Sequence, residues 1–497
     1  MCGIIGINSS QHVATDIYEG LISLQHRGQD AAGISTYNGH FHVARGRGYV
    51  REAFTDESMR ALSGSIGIGH TRYTTAGSAT DLGNSQPFFA NAPLGVALVH
   101  NGNLTNYREL RTDLSVQHHY QCNSESDTEV LLGVFVTALR AAPADPDIFQ
   151  TYVHAVESVM TQVRGAYSVI GMIAGDGTSG VSGKGGLFAF RDPHGIRPLV
   201  YGTRARGNGT YDVIIASENS AFSPLGYTYG GDILPGEAMF VDAAGHIRRT
   251  RIKSDTLTPD VFEYIYFARP DSFLNQISVY RARQRMGKNL AARWRTVHPD
   301  VVPDVVVPVP FSSNPIALAM ALELGVPYSE GLYKNAFIGR TFIMPGVEAR
   351  KRAVKRKLSP QTLELADKNV LIVDDSIVRG TTSREVVDMV RGAGAKKIYF
   401  ASAAPPIKYP DYYGIDIPTK EELIASYMTE DEIRTFIGAD ILLYQTIEDL
   451  VDAVTRRGDH AISRLSMPYL DGWYVTADIT NDTAAAVAAA RARERQS

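Results

Sequence analysis

The sequence predicts a two-domain α/β protein, and three observations carry that reading. At 497 residues the chain is too long for one hydrophobic core. Residues 370–373 (VLIV) form a short, wholly apolar run, as in a strand buried on both faces of a parallel sheet, and helical spacing starts at Thr381. A second such run, VVVPVP at 305–310, precedes another helical stretch at 317–324. The composition fits a globular chain, with 44% hydrophobic and 21% charged residues. A net charge of −4 argues against general nucleic-acid binding. No apolar run is long enough to span a bilayer, and no signal-peptide pattern opens the chain, so a cytoplasmic protein is expected. Cys2 and Cys122 are the only cysteines, which excludes a disulfide framework and any four-cysteine metal or iron–sulfur site.

Taken in order, the chain opens MCGIIGI. Methionine is usually trimmed before a small residue, and trimming would leave Cys2 with a free α-amine beside its own thiol. Such an amine titrates near neutrality and can serve as the base for that nucleophile. The apolar run 4–7 predicts a strand that holds Cys2 at a sheet edge. LQHRGQDAAGI (24–34) places Arg27, Gly28 and Gln29 in a turn between helix and strand. GIGHTRYTTAG (67–77) reads as a strand bearing His70 and Arg72, then a Thr- and Gly-rich loop. ALVHNGNLTN (97–106) reads as a strand running into a turn built from Asn101, Gly102 and Asn103. SESDTEVLL (124–132) caps a helix whose first turn carries Asp127. Residues 240–259 read as a short strand, a turn at Gly245 and a basic connector. FEYIYFARPDS (262–272) reads by itself as a core strand ending in a Pro turn.

The second half begins with helical spacing and a basic face at 280–295, then the 305–310 strand and Ser312. GLYKNAFIGRTFIMP (331–345) mixes aromatics with Lys334, Arg340 and Thr341, and EARKRAVKRKL (348–358) carries six Lys or Arg on what reads as a solvated face. After the 370–373 strand come Asp374 and Asp375, a turn with Ser376, Arg379 and Gly380, and a helix opened by Thr381 and Thr382. Hydroxyls and free N–H groups at a helix start suit a phosphate dianion. Paired carboxylates at a strand end suit vicinal hydroxyls or Mg²⁺. Together they describe a sugar-phosphate pocket. A strand at 397–402 and a strand and helix from 440 complete the domain, and an Ala- and Arg-rich surface helix ends the chain from Thr483.

VLIVDDSIVRGTTS (370–383) resembles the binding loop for phosphoribosyl pyrophosphate (PRPP) of type I phosphoribosyltransferases, and its wording is similar to that of the amidophosphoribosyltransferase family. The first-half segments, with RDPHGIRPLVYG (191–202) and ASENSAF (216–222), resemble the class II glutamine amidotransferase domain of the N-terminal nucleophile superfamily. The resemblance implies a four-layer αββα glutaminase domain at 2–240 and a connector at 241–261. A type I phosphoribosyltransferase α/β domain with a mostly parallel sheet would follow at 262–470, with 262–272 at the junction, and a helical tail at 471–497.

It implies roles as well. Cys2 attacks glutamine, with Asn101 and Gly102 as oxyanion hole; Arg72 and Asp127 hold glutamine's carboxylate and ammonium, and Arg27 joins that set. Asp374, Asp375, Ser376, Arg379, Gly380, Thr381 and Thr382 bind PRPP, with Lys334 and Arg340 on a mobile lid over it. Ser312 and the two aspartates hold one Mg²⁺ per subunit. Phe311 stands where the family usually has an acidic residue, which weakens Ser312's claim. Asp411 stands where one branch of the family places a cluster-ligating cysteine, so the chain fits the branch with neither iron–sulfur cluster nor propeptide. The implied reaction transfers glutamine's ammonia to PRPP, giving 5-phosphoribosylamine, in a homo-oligomer inhibited by purine nucleotides. The first half alone would equally fit a hexosamine-forming amidotransferase or an asparagine synthetase, and the second half alone a PRPP-sensing regulator.

Overall fold

The structure, a computed structural model, describes residues 1–73, 82–143, 145, 147–175, 185–207, 209–253, 256–335, 358–417, 419–456, 462, 464–480 and 483–485. The first half is built on two stacked antiparallel sheets. In one, β1 (Gly3–Asn8) lies between β4 (Ile66–Arg72) and β10 (Thr210–Ala216). Beyond β4 come β2 (Ala31–Tyr37) and β3 (Phe41–Arg47), and beyond β10 come β9 (Val200–Gly207) and β11 (Thr228–Asp232). The other runs in the order β13-β12-β8-β7-β6-β5, from Ile247–Arg251 through Glu237–Asp242, Gly186–Arg191, Gly165–Ile173 and Val96–Leu104 to Phe88–Ala90.

Strand alternation sorts the side chains into layers. Ile4, Ile68, Val99, Ile170 and Val213 fill the space between the sheets, whereas Ile5 and Ile7 face the helix Ala14–Ser23. The helices Asp127–Ala141 and Ile148–Gln162 cover the far sheet with Val130, Phe135, Tyr152 and Val156 against Phe188, Phe190 and Phe240. The result is helix, sheet, sheet, helix, the expected αββα stack.

In the second half the strands Val305–Pro308, Asn369–Asp374, Lys397–Ser402 and Ile441–Tyr444 form a sheet in that order, every neighbour parallel. On one face Val370, Ile372, Ile398 and Phe400 pack against Val386 and Val390 of the helix Thr381–Gly392 and Ile433 of Glu430–Ile437. On the other, Leu371, Val373 and Leu443 pack against Leu290 and Trp294 of the helix Val279–Val297 and Met320 of Asn314–Leu324. That second cluster continues through Phe262, Tyr264 and Ile265 to Ile17 and Leu21, so one core crosses from half to half.

Two local expectations are corrected. The HNGN stretch is no turn: β6 runs through Asn101, Gly102 and Asn103 to Leu104, paired with β7 as far as Gly165. Residues 263–267 are a π-helix rather than a strand. Glu263, Tyr264, Ile265 and Phe267 are all buried, and a segment wedged between two bodies buries consecutive positions, which a two-residue alternation cannot do. Arg340, Thr341 and the basic stretch 348–357 lie outside the described residues, as does most of the C-terminal tract.

Candidate active site

Two groups of the predicted residues come together. In the first, β1 pairs with β4 so that Gly3 faces Thr71 and Ile4 faces His70, which sets Cys2 at the Arg72 end of the pair. From the other sheet, β6 brings Asn101, whose Oδ1 accepts the Cys2 backbone N–H at 3.2 Å. The Cys2 thiol donates to the Tyr73 carbonyl at 3.8 Å. With Oδ1 so used, Asn101 Nδ2 is buried and has no hydrogen-bond partner among the described residues. A buried donor without a partner is costly, and a substrate oxygen would satisfy it. Gly102 follows at φ +150°, and a β-carbon there would sit 1.9 Å from the Ala166 carbonyl oxygen. The strand therefore needs glycine at this position.

Asp127 opens its helix, and its Oδ2 accepts the Leu104 N–H at 3.0 Å while the carboxylate stays partly open. Arg72 is buried at the end of β4. Burial holds His70 well below the ordinary imidazole range, helped by the Arg72 cation, and it lowers His100 too, so both rings are neutral at pH 7.

Arg27 is fully buried behind the nucleophile. Its Nε donates to the Cys2 carbonyl at 3.1 Å, and its guanidinium is occupied by Glu263, at 2.7 and 3.0 Å, and by Glu218. Glu218 also accepts from His26 at 2.7 Å, the Arg269 N–H at 3.0 Å and the Ser272 hydroxyl. Burial alone would raise Glu218, but its neighbours His26 and Arg27 outweigh it and hold the carboxyl far below its usual range. Neither glutamate was singled out from the sequence. The available signal was an acidic residue inside an apolar stretch, which demands a partner.

The second group sits at the end of Asn369–Asp374. Asp375 accepts from the Ser312 hydroxyl at 2.6 Å and the Ser376 hydroxyl at 2.7 Å, and Asp374 accepts the Asp375 N–H at 2.9 Å. Burial raises both carboxyls, and the Asp375 charge pushes Asp374 further, well above its usual range. Lys334 and Arg283 relieve Asp375 in part. Lys334 lies 5.0 Å from the centroid of the exposed Phe311 ring, so the aromatic in place of the family's acidic residue supports a cation. Gly380 caps the helix Thr381–Gly392, whose first two residues, Thr381 and Thr382, are exposed. Arg379 is paired with Glu422 at 2.8 Å.

Two adjacent buried carboxyls with raised affinity for positive charge, beside a hydroxyl, fit a divalent cation that takes its other ligands from a phosphorylated substrate. Among the described residues no group of three or more His, Cys, Asp or Glu forms a protein-only metal cage. Cys122 belongs to neither group: it is half-buried beside Tyr120 and Glu129, and burial pushes its thiol up to about 11.

The two halves of the chain are joined through the segment 411–415. Asn103 donates to the Tyr412 carbonyl at 2.9 Å, and Arg197, buried, donates to the Tyr413 carbonyl at 2.6 and 2.9 Å and to Asp260 at 2.8 Å. Asp411 accepts the N–H groups of Tyr413 at 2.9 Å and Ile415 at 2.7 Å.

Comparison with known proteins agrees with this two-centre arrangement. A glutamine amidotransferase domain matches residues 70–224 and a phosphoribosyl transferase domain matches 286–414. The amidophosphoribosyltransferase of Escherichia coli (strain K12) is 45% identical over 486 residues, 96% of this chain and 93% of that protein. That of Schizosaccharomyces pombe is 46% identical over 477 residues, 91% of this chain and 87% of that one. The solved structure of the glutamine PRPP amidotransferase of B. subtilis, in complex with ADP and GMP, superposes with a TM-score of 0.82 at 34% identity, covering 97% of this chain and 98% of that one. With both halves matched in one order and over nearly full length, the chain belongs to the amidophosphoribosyltransferase family.

Proposed function

We propose that the two centres divide the family's reaction between them, the Cys2 centre releasing ammonia from glutamine and the Asp374–Asp375 centre adding it to PRPP. The observation that carries this reading is the Asn101 amide: its oxygen holds the Cys2 N–H and its buried NH₂ awaits an acceptor. Removal of Met1 turns that same nitrogen into an α-amine, which takes the thiol proton as Sγ attacks the glutamine amide carbon. Asn101 Nδ2 and the Gly102 N–H hold the oxyanion that forms. As the C–N bond breaks, the ammonium of Cys2 returns its proton to the departing nitrogen, leaving a thioester that water cleaves to glutamate. Arg72 pairs with glutamine's carboxylate and Asp127 with its ammonium. Arg27, with its guanidinium on Glu218 and Glu263, serves glutamine by fixing the Cys2 backbone.

Free ammonia is mostly protonated in neutral water and is then no nucleophile, so it passes internally to the second centre. There it displaces pyrophosphate from the anomeric carbon of PRPP and gives 5-phosphoribosylamine, the first committed step of purine synthesis. The helix start at Gly380, Thr381 and Thr382 binds the 5-phosphate, Ser376 and Arg379 line the loop around it, and Asp374 and Asp375 accept from the ribose hydroxyls. Lys334 and Arg340 close over the pyrophosphate. Ser312 and the two aspartates would hold Mg²⁺, which when bound neutralises charge on the leaving group. Regulation by purine nucleotides is supported by the B. subtilis structure, which binds ADP and GMP. The protein is read as a cytoplasmic homo-oligomer; among the described residues no helix is long and apolar enough to cross a membrane.

The test is PRPP- and Mg²⁺-dependent pyrophosphate release with glutamine or ammonium as donor, in wild type and Cys2→Ala. Loss of the glutamine reaction alone in Cys2→Ala supports the division. Wild type that binds PRPP but releases no pyrophosphate from either donor is a sensor, and the reading fails.

A further inference from the structure

The second half of the molecule comes up against the carbonyl of Gly102 on the oxyanion strand. Gly414, from the second half, stands at φ +102°, and a β-carbon there would lie 2.9 Å from the Gly102 carbonyl oxygen and 3.4 Å from Gly102 Cα. One residue along the strand, the Asn103 side chain donates to the Tyr412 carbonyl at 2.9 Å. Two successive residues of β6 are thus seated on two residues of the segment 411–415. That segment is itself held from both ends. Inside it, Asp411 accepts the N–H groups of Tyr413 and Ile415. From outside, the fully buried Arg197 grips the Tyr413 carbonyl with two N–H groups, and Tyr413 packs with Ala166 and Ile196 of the first half. Ala166 is the partner of Asn103 in the β6–β7 pair, and its carbonyl oxygen stands 1.9 Å from where a β-carbon of Gly102 would lie.

We infer that the segment 411–415 is a positioning element of the glutamine centre: the second half of the chain supplies the seat that holds the Gly102 N–H and the Asn101 amide in line with the developing oxyanion. Gly414 and Asn103 are its contact residues, and both act through the backbone of the oxyanion strand. Oxyanion stabilisation is steep in distance, so a few tenths of an ångström at Gly102 is felt in the chemical step. The inference rests on the oxyanion role of Asn101 and Gly102, and the experiment separates the two.

Gly414→Ala, Asn103→Ala and Asn101→Ala are assayed for glutamine hydrolysis in the presence of PRPP, for ammonium-driven pyrophosphate release, and for alkylation of Cys2 by iodoacetamide, which needs no oxyanion hole. The expected result for Gly414→Ala and Asn103→Ala is a fall in glutamine kcat of about tenfold or more. The KM for glutamine, the ammonium-driven rate and the alkylation rate all stay within about twofold. A parallel fall of the glutamine and ammonium reactions means a general fold role and overturns the inference, as do unchanged rates in both variants while Asn101→Ala is inactive with glutamine. Undiminished turnover in Asn101→Ala overturns the oxyanion assignment and this inference with it. Because Asn103→Ala adds no atom and forces no backbone change, it keeps the test informative if Gly414→Ala does not fold.

Discussion

Arg27 and Glu263 meet in a two-pronged ion pair, 2.7 and 3.0 Å, with both side chains out of contact with solvent. The pair joins the residue behind the nucleophile to the π-helix that opens the second half, and Glu218 completes it. Burial would lower the Arg27 guanidinium, but its two carboxylate partners outweigh that and raise it above the ordinary range. Removing one member of such a group leaves an uncompensated buried charge, at a cost of about 3–5 kcal/mol. Arg27→Met and Glu263→Gln should therefore both lower the thermal unfolding midpoint by several degrees. A melting curve unchanged within one degree in either variant would mean that the charges are not paired in the native protein.

Asn101→Asp keeps an oxygen for the Cys2 N–H but replaces the free NH₂ with a second acceptor. The glutamine reaction should fall by about 10²–10³-fold in kcat, the usual loss for one oxyanion donor, while the ammonium reaction continues. Steady-state kinetics with each nitrogen donor decides it; glutamine turnover within threefold of wild type would remove Asn101 from the chemistry.

Asp375→Ala deletes the acceptor of both Ser312 and Ser376. Pyrophosphate release should be lost with either donor, by at least about 10²-fold, with basal glutaminase in the absence of PRPP retained. Calorimetric titration with PRPP should show weakened binding. PRPP affinity equal to wild type would place the ribose elsewhere.

The Asp260 carboxyl is pushed up to about 7 by burial, against the pull of Arg197, from an ordinary value of 3.8. The folded protein then binds this proton more tightly than the unfolded chain, so the group's contribution is fully present below about pH 4 and is lost as pH climbs to about 7. Asp260→Asn cannot titrate. The melting temperature of wild type relative to Asp260→Asn should fall steadily from pH 4 to 7 and level off above. A difference that stays constant over that range would show Asp260 ionised throughout.

Much of this was legible because it is local. An apolar run, two carboxylates and a helix opened by hydroxyls lie within fourteen consecutive residues at 370–383, and strand, turn and helix stand where the pattern put them. The class of the HNGN stretch was misjudged because Asn and Gly usually mark turns; here Gly102 is required by the close approach of Ala166 from the neighbouring strand. The π-helix was misjudged because aromatic residues with strand propensity were buried on consecutive positions by a neighbour that no sequence window contains. Arg27 with Glu218 and Glu263, and Asn103 with Tyr412, are separated by 191, 236 and 309 positions. No periodicity encodes a contact at that range, so those pairings could be named only once the halves were seen against each other.

The unbroken core from Ile17 and Leu21 through Tyr264 to Leu371 and Leu443 also bears on heredity and engineering. Severing the chain between β13 and the π-helix would strip two apolar faces at once and yield a pair of sticky fragments. Exchanging one half for a relative's succeeds only if the seam is inherited intact, Arg27 with Glu263 and Asn103 with its seat at Tyr412 and Gly414. The two halves should therefore be inherited as a single cassette, with substitutions along the seam drifting in matched pairs rather than singly.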